Sequence, residues 1–395
     1  MSHLMNNYNR LPITFTHGEG VWLHDTNGLR YLDALSGVAV NGLGHAHPVL
    51  VSALQAQVAK LIHTSNIYEV AEQIQLADKL AEISGMDNVF FCNSGCEANE
   101  AAIKLARLHA KTRNIENPEI VVMERSFHGR TFATLSATGN AKVQAGFEPL
   151  MKGFIHVEHG DLDVLNVLAR YHKNIVAILV EPVQGEGGII VPNDLVGYFK
   201  GIRAVCDANN WLMMVDEVQT GIGRTGEWFG FQHADILPDV ATLAKGLGSG
   251  VPIGACLAKG AAAGYFTYGK HGSTFGGGPL ATTAGLITLN IIETQHLREN
   301  ALAMGEHINT GFRSALAGIN GVVEIRNAGL MIGIELAIAC GDLVKQALAA
   351  GLLINVTADK VIRLLPPLII NAAESDQIIK ILAPLIKAFL SEQHA

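Results

Sequence analysis

The chain has 395 residues, 49% of them hydrophobic, with 28 Lys and Arg against 36 Asp and Glu for a formal net charge of -8. That is enough apolar material for one large domain and a smaller one, and without a basic run a nucleic-acid partner is not expected. The five cysteines, Cys92, Cys96, Cys206, Cys256 and Cys340, are widely spaced with no C-x-x-C pair, which argues against zinc or a disulfide framework and fits a reducing cytoplasm. The apolar stretch 328–340 is shorter than a bilayer span and carries Glu335, and residues 1–12 are polar, so neither a membrane nor an export role is expected.

In chain order, short strands are expected at 20–24 and 29–33, too few to bury a core alone. Apolar runs then read as strands at 89–92, 120–123, 154–157, 175–180, 211–215, 240–243 and 253–258. Helical patterns at 97–110, 162–171 and 195–208 lie between them. The alternation predicts an α/β fold with a large, mainly parallel sheet, whose sites form at the carboxyl ends of strands. A long helix at 279–293 closes this part. Shorter pieces follow at 322–325, 331–336, 352–355 and 361–364, with a last helix near 374–390. They predict a smaller α/β domain. The expected division is an N-terminal segment at 1–50 that packs with the small domain, a large domain at 51–298 and a small domain at 299–395.

Three motifs fall at strand ends. Lys245 follows the apolar run 240–243 and precedes Gly246, Gly248 and Gly250. An isolated lysine there usually reaches solvent, but a desolvated one has the lowered pKa that Schiff-base chemistry needs. Asp216 closes the strand at 211–215. It reads either as a turn aspartate or as a carboxylate that keeps a ring nitrogen cationic, making the ring an electron sink. Ser94-Gly95-Cys96 sits between a strand and a helix. Its free N–H groups form a phosphate cradle, while Ser94 and Glu97 also satisfy a capping box. The spacing Gly221, Gly223, Gly226 matches G-x-G-x-x-G, yet Asp216 to Thr220 intervene after the strand and Trp228-Phe229 interrupts the helix a dinucleotide fold requires. His45 and His47, two apart in a loop without acidic neighbours, read as a turn rather than metal ligands, and no metal is expected.

Together these segments resemble the class III aminotransferases of the fold-type I pyridoxal-phosphate enzymes, in the acetylornithine and ornithine branch. The carriers are Gly42-Leu-Gly-His-Ala-His-Pro48, Asn93-Ser-Gly-Cys-Glu-Ala-Asn-Glu100, Ser126-Phe-His-Gly-Arg-Thr131, Glu181-Pro-Val-Gln-Gly-Glu-Gly-Gly188, Asp216-Glu-Val-Gln-Thr-Gly-Ile-Gly-Arg-Thr-Gly226, Ala244-Lys-Gly246 and Gly272-Ser-Thr-Phe-Gly-Gly277. Seven ordered motifs span almost the whole chain. The resemblance implies pyridoxal 5'-phosphate bound as a Schiff base to Lys245, which also moves the substrate proton. It implies Asp216 at the ring nitrogen, Ser94, Gly95 and Cys96 at the phosphate, Phe127 and Val218 on the ring faces, and Gln219 near the ring hydroxyl. Cys96 stands where many relatives have threonine.

The same resemblance implies a homodimer with shared sites, in which Thr274 reaches the partner's phosphate and Ser273 its substrate. Arg130 is then set for the donor carboxylate and Arg363 for the α-carboxylate of 2-oxoglutarate or glutamate, a geometry that a planar guanidinium suits. Glu186 pairs with Arg363 when no α-carboxylate is present. The implied donor is acetylornithine, with ornithine, succinylornithine and 4-aminobutyrate as alternatives. Val38 bears on that choice, because it aligns where ornithine aminotransferases carry an aromatic residue and so leaves room for an acyl group. A nicotinamide-dependent oxidoreductase built on Gly221 to Gly226 is the alternative of another class.

Overall fold

The computed structural model describes residues 3–392. Residues 1–2 and 393–395, which the sequence reading assigns to the N-terminal segment and the small domain, lie outside the described residues. A seven-stranded sheet runs in the order Asn88–Cys92, Gly254–Ala258, Val240–Leu243, Leu212–Asp216, Ile175–Val180, Glu119–Met123, Phe154–Val157. Six strands are parallel, and Gly254–Ala258 runs antiparallel to both of its neighbours.

The central strands read as continuous apolar runs because both faces are covered. All six residues of Ile175–Val180 are buried. Ile178 and Val180 pack on one face with Phe199 and Ile202 of the helix Leu195–Asn209, while Ala177 and Leu179 pack on the other with Ala101, Ala102 and Leu105 of the helix Gly95–Thr112. Alanines on that second helix let it lie close to the sheet. Burying a leucine or phenylalanine side chain here stabilises the fold by roughly 1.5–3 kcal/mol, so these layers hold the strand ends, and the site on them, in place.

Helices Pro48–Lys60, Ala71–Ser84 and Pro279–Thr294 pack together beside the sheet. Gly285 meets Leu76 so closely that an added Cβ would lie 2.8 Å from it. Helix Leu297–Ala315 leads into an antiparallel sheet ordered Val322–Ala328, Met331–Leu336, Val361–Leu364, Asn355–Thr357. Ala372–Glu392 closes the chain's described part. Among the described residues no helix is long and apolar enough to cross a membrane.

Two expected strands differ from those observed. The run 352–355 is not one strand: Leu352–Leu353 joins Arg30–Asp33 in parallel, whereas Asn355–Thr357 pairs with Val361–Leu364. One apolar run thus serves two sheets, a division that periodicity cannot reveal. The strand expected at 20–24 starts only at Trp22, because Gly20, with φ 56°, turns a hairpin between Phe15–Glu19 and Trp22–Asp25.

Candidate active site

Asp216 ends its strand, Lys245 and Glu181 follow theirs closely, and Gly95 and Phe127 lie just beyond two more, so five strands of one sheet deliver four side chains and the Gly95 backbone to one edge. There they line a cavity of about 220 Å³ with Cys96, Asn99, His128, Gly129, Arg130, Glu186, Val218 and Gln219. A larger hollow of about 760 Å³ beside His159, Asp161 and Tyr198 holds none of these groups. Lys245 itself adopts a left-handed backbone, φ 40°, a conformation uncommon for a residue with a side chain.

Asp216 is 3% exposed and held by three donors. Its Oδ2 lies 2.8 Å from His128 Nδ1 and accepts from Asn99 Nδ2 at 2.7 Å, and its Oδ1 accepts from the Val218 amide at 3.0 Å. Asn99 is fixed in turn by donating to the His128 carbonyl and accepting from Thr242 Oγ1. Burial disfavours a charged His128, but its hydrogen bond to Asp216 and the nearby Asp216 and Glu181 charges prevail and raise its pKa. Desolvation and the Arg363 charge pull the Lys245 pKa below the ordinary lysine value, against the opposing pull of Glu186, Asp216 and Glu181. Burial pushes the carboxyls of Glu181 and Glu217 up to about 7 each.

The amides of Gly95 and Cys96 stand in the first turn of an 18-residue helix, where no helical carbonyl precedes them. Gly95 admits no side chain, since a Cβ would lie 2.7 Å from Val218 Cγ1. Ser94 caps this helix, its Oγ accepting from Glu97 N at 3.2 Å, and it is absent from the cavity wall. The expected reciprocal box is displaced by one residue. Glu97 reaches back to the Asn93 amide rather than to that of Ser94. Arg130 is exposed at the cavity mouth, with its guanidinium 5.5 Å from the centre of the Phe127 ring.

Arg363 is 1% exposed, deep in the strand Val361–Leu364. Its Nη1 donates to Glu186 Oε1 at 2.8 Å and its Nε to Asn355 Oδ1 at 3.0 Å. Glu186, by contrast, retains 34% side-chain exposure.

Val38, and the two residues expected to serve a partner's site, lie apart from this cavity. Ser273 and Thr274 line a separate recess of about 380 Å³ with Asn93, Glu97 and His271, and Ser273 Oγ lies 3.3 Å from Asn93 Nδ2. Val38 packs against the cluster of Ala39, Val183, Ile189, Met331 and Leu365 instead of lining the wall. It belongs to a run of left-handed residues, with φ 66° at Val38 itself, an outlier for a β-branched side chain. Asp33 Oδ1 holds this run by accepting from the amides of Leu35 and Ser36, and Ser36 Oγ donates to the Leu365 carbonyl. His45 bonds Asp33, as a structural turn residue does. At Gly226 a Cβ would lie 2.2 Å from the Leu302 side chain, so that loop is packed against helix Leu297–Ala315 rather than opened toward a ligand. Nothing in the sequence marks a role for His128, Asn99 or Glu181: each lies inside a motif, but only the fold shows that they meet Asp216 and Phe127.

A flat, phosphate-bearing pyridine fits these walls. Phe127 and Val218 are both present to face a ring, Asp216 offers a fixed carboxylate, and a helix start offers free amides. Gln219 adds a buried Oε1 with no hydrogen-bond partner, an acceptor available to a ring hydroxyl. Fold and site together define a pyridoxal-phosphate-dependent transferase of fold type I. The chain matches the family model for class-III aminotransferases over residues 4–386 and belongs to that family. It is 56% identical over 393 residues to the acetylornithine aminotransferase of Nitrosomonas europaea, with 100% of each chain covered. Identity to that of Aquifex aeolicus is 45%, covering 98% of this chain and 100% of the relative. Among solved structures, the ornithine aminotransferase from Toxoplasma gondii superposes with a TM-score of 0.94 at 32% identity, covering 99% of this chain and 94% of that one. The acetylornithine aminotransferase from Elizabethkingia anophelis gives 0.88 at 34%, with 97% and 96% covered.

Proposed function

We propose that the chain transfers the terminal amino group of N2-acetylornithine to 2-oxoglutarate, a step of arginine biosynthesis, in the cytoplasm. The observation that carries a two-substrate reaction is the ion pair between buried Arg363 and half-exposed Glu186. A buried guanidinium without a partner is costly, so Glu186 neutralises Arg363 while a donor presents its terminal amine. When 2-oxoglutarate or glutamate arrives, its α-carboxylate takes that place and Glu186 moves aside. The acyl donor is favoured by the full-length relatives at 45–56% identity, which bear the name acetylornithine aminotransferase.

The cofactor, when bound, supplies an electron sink for the carbon that bears the reacting nitrogen. Gly95 and Cys96 hold its phosphate, Phe127 and Val218 its ring faces, Gln219 its hydroxyl, and Lys245 is its attachment point. Asp216 faces the ring nitrogen with its carboxylate fixed by three partners from the scaffold. The Lys245 amine, with its lowered pKa, would take the proton from the donor carbon and deliver it two atoms away, across the reacting nitrogen. Arg130 binds the donor carboxylate. Ser273 and Thr274 act across a homodimer, at the partner's substrate and phosphate. Residues 1–50 work with a small domain at 299–395, and 51–298 form the large domain that carries the cofactor.

The test is a donor panel with 2-oxoglutarate as acceptor. Acetylornithine is expected to give a higher kcat/KM than ornithine or 4-aminobutyrate, because a free α-ammonium is left without a partner in a site built for an acylated one. Ornithine or 4-aminobutyrate exceeding both acetylornithine and succinylornithine contradicts the donor assignment and leaves the aminotransferase class intact. In Val38→Tyr, acylated donors should lose activity preferentially if the longer side chain extends from its apolar cluster into the space of the acyl group. An equal loss on all donors removes Val38 from the account.

A further inference from the structure

The segment that carries Glu186 is pinned from two sides. The Gly185 amide donates to Glu181 Oε2 at 3.3 Å, and the Glu186 carbonyl accepts from Thr357 Oγ1 at 2.5 Å. The other oxygen of the same carboxylate, Glu181 Oε1, accepts from the Phe127 amide at 2.9 Å. Glu181 is 6% exposed and follows the fully buried strand Ile175–Val180, so it has little freedom to follow either partner. Gly185 is equally confined, since an added Cβ would lie 2.2 Å from Gln219 Oε1. One buried carboxylate therefore joins the backbone of the aromatic beside the cofactor cavity to the backbone immediately before Glu186.

We propose that Glu181 is a positioning residue whose carboxylate, shared between the amides of Phe127 and Gly185, sets Glu186 against Arg363 and thereby governs the choice between a terminal-amine donor and an α-amino acid. The inference rests on the exchange of partners at Arg363 proposed above. The two N–H donors reach different oxygens of one side chain, so keeping both contacts takes two acceptor atoms, which a carboxylate has and an amide lacks. Glutamine at 181 keeps one bond and turns its NH₂ toward the other amide. The longer contact, to Gly185, is the one that gives way, and Glu186 then leaves Arg363 more often.

The test compares holoenzyme single-turnover rates with glutamate and with acetylornithine in wild type, Glu181→Gln, Glu186→Ala and the double variant. Glu181→Gln should raise the glutamate-to-acetylornithine rate ratio by about tenfold, within the coupling range of neighbouring groups. In the Glu186→Ala background the same change should shift the ratio by less than about twofold, because its effect passes through Glu186. Equal slowing of both half-reactions, or an undiminished effect without Glu186, overturns the proposal. Glu181→Asp keeps the charge but shortens the reach, and it is expected to move the ratio in the same direction if the amide variant does not fold. A Glu186→Ala enzyme with the wild-type ratio overturns the exchange at Arg363 and this inference with it. A ratio moved by Glu186→Ala but not by either Glu181 variant overturns only the role of Glu181.

Discussion

Asp216 and Glu186 are carboxylates on the wall of the same cavity, yet the chain holds them in opposite ways. Asp216 ends a strand whose five residues are all buried, and both of its oxygens are occupied by donors of the scaffold. Glu186 sits in a loop, keeps a third of its side chain exposed and makes one ion pair. The difference matches the tasks proposed for them: the ring end would need the same charge in both half-reactions, whereas the Arg363 end would accept either a protein carboxylate or a substrate carboxylate. A sheet supplies the first kind of group. A loop with a single, replaceable bond supplies the second.

Replacing a group of the fixed end should be most damaging where that group also moves a proton. Lys245→Ala is expected to lower kcat by about 10⁴-fold or more, with cofactor still retained by the other walls on gel filtration and absorbance. Turnover near the wild-type rate removes Lys245 from its role. Asp216→Ala leaves a buried cation without its partner, at about 3–5 kcal/mol, so kcat should fall on the order of 10²–10³-fold. A loss below about tenfold would mean that His128 or another group holds the charge balance instead.

The rigid end also carries a stability cost that pH exposes. Glu217, adjacent to Asp216, has both oxygens bonded, to Thr220 Oγ1 and to the Phe231 amide, but burial lifts its pKa to about 7. The folded protein therefore binds this proton more tightly than the unfolded chain. The resulting stabilisation is complete below the ordinary carboxyl value and is lost as pH rises through about 7. Glu217→Gln cannot ionise, so its stability relative to wild type should rise between pH 5 and pH 8 by up to roughly 3 kcal/mol. Denaturant midpoints at several pH values measure this, and a pH-independent difference would show that the carboxyl ionises freely in the folded state.

Much of the fixed end's placement was legible in the sequence, because apolar runs ending in Asp216 or followed by Lys245 and Ser94-Gly95 put these residues at strand ends, while the roles expected of them came from the resemblance to a family. The supporting residues were not. A histidine in an irregular loop and an asparagine on a helix have no pattern that marks them as partners of an aspartate 88 and 117 positions away. At the exchangeable end, Arg363 and Glu186 are 177 residues apart, and only the resemblance to a family joined them beforehand. Ser273 and Thr274 face a recess of their own within one chain, and Val38 turns out to occupy a strained run whose conformation side-chain patterning does not report.

The most direct measurement of the contrast is the single-turnover rate of the Glu186→Ala holoenzyme with glutamate, set beside its rate with acetylornithine. If Glu186 is the replaceable partner of Arg363, removing it leaves the guanidinium open to the α-carboxylate. The glutamate half-reaction should then speed up by about threefold to tenfold at subsaturating glutamate, a gain of roughly 1 kcal/mol, while the acetylornithine half-reaction stays level or slows. A glutamate rate that is unchanged or reduced contradicts the account.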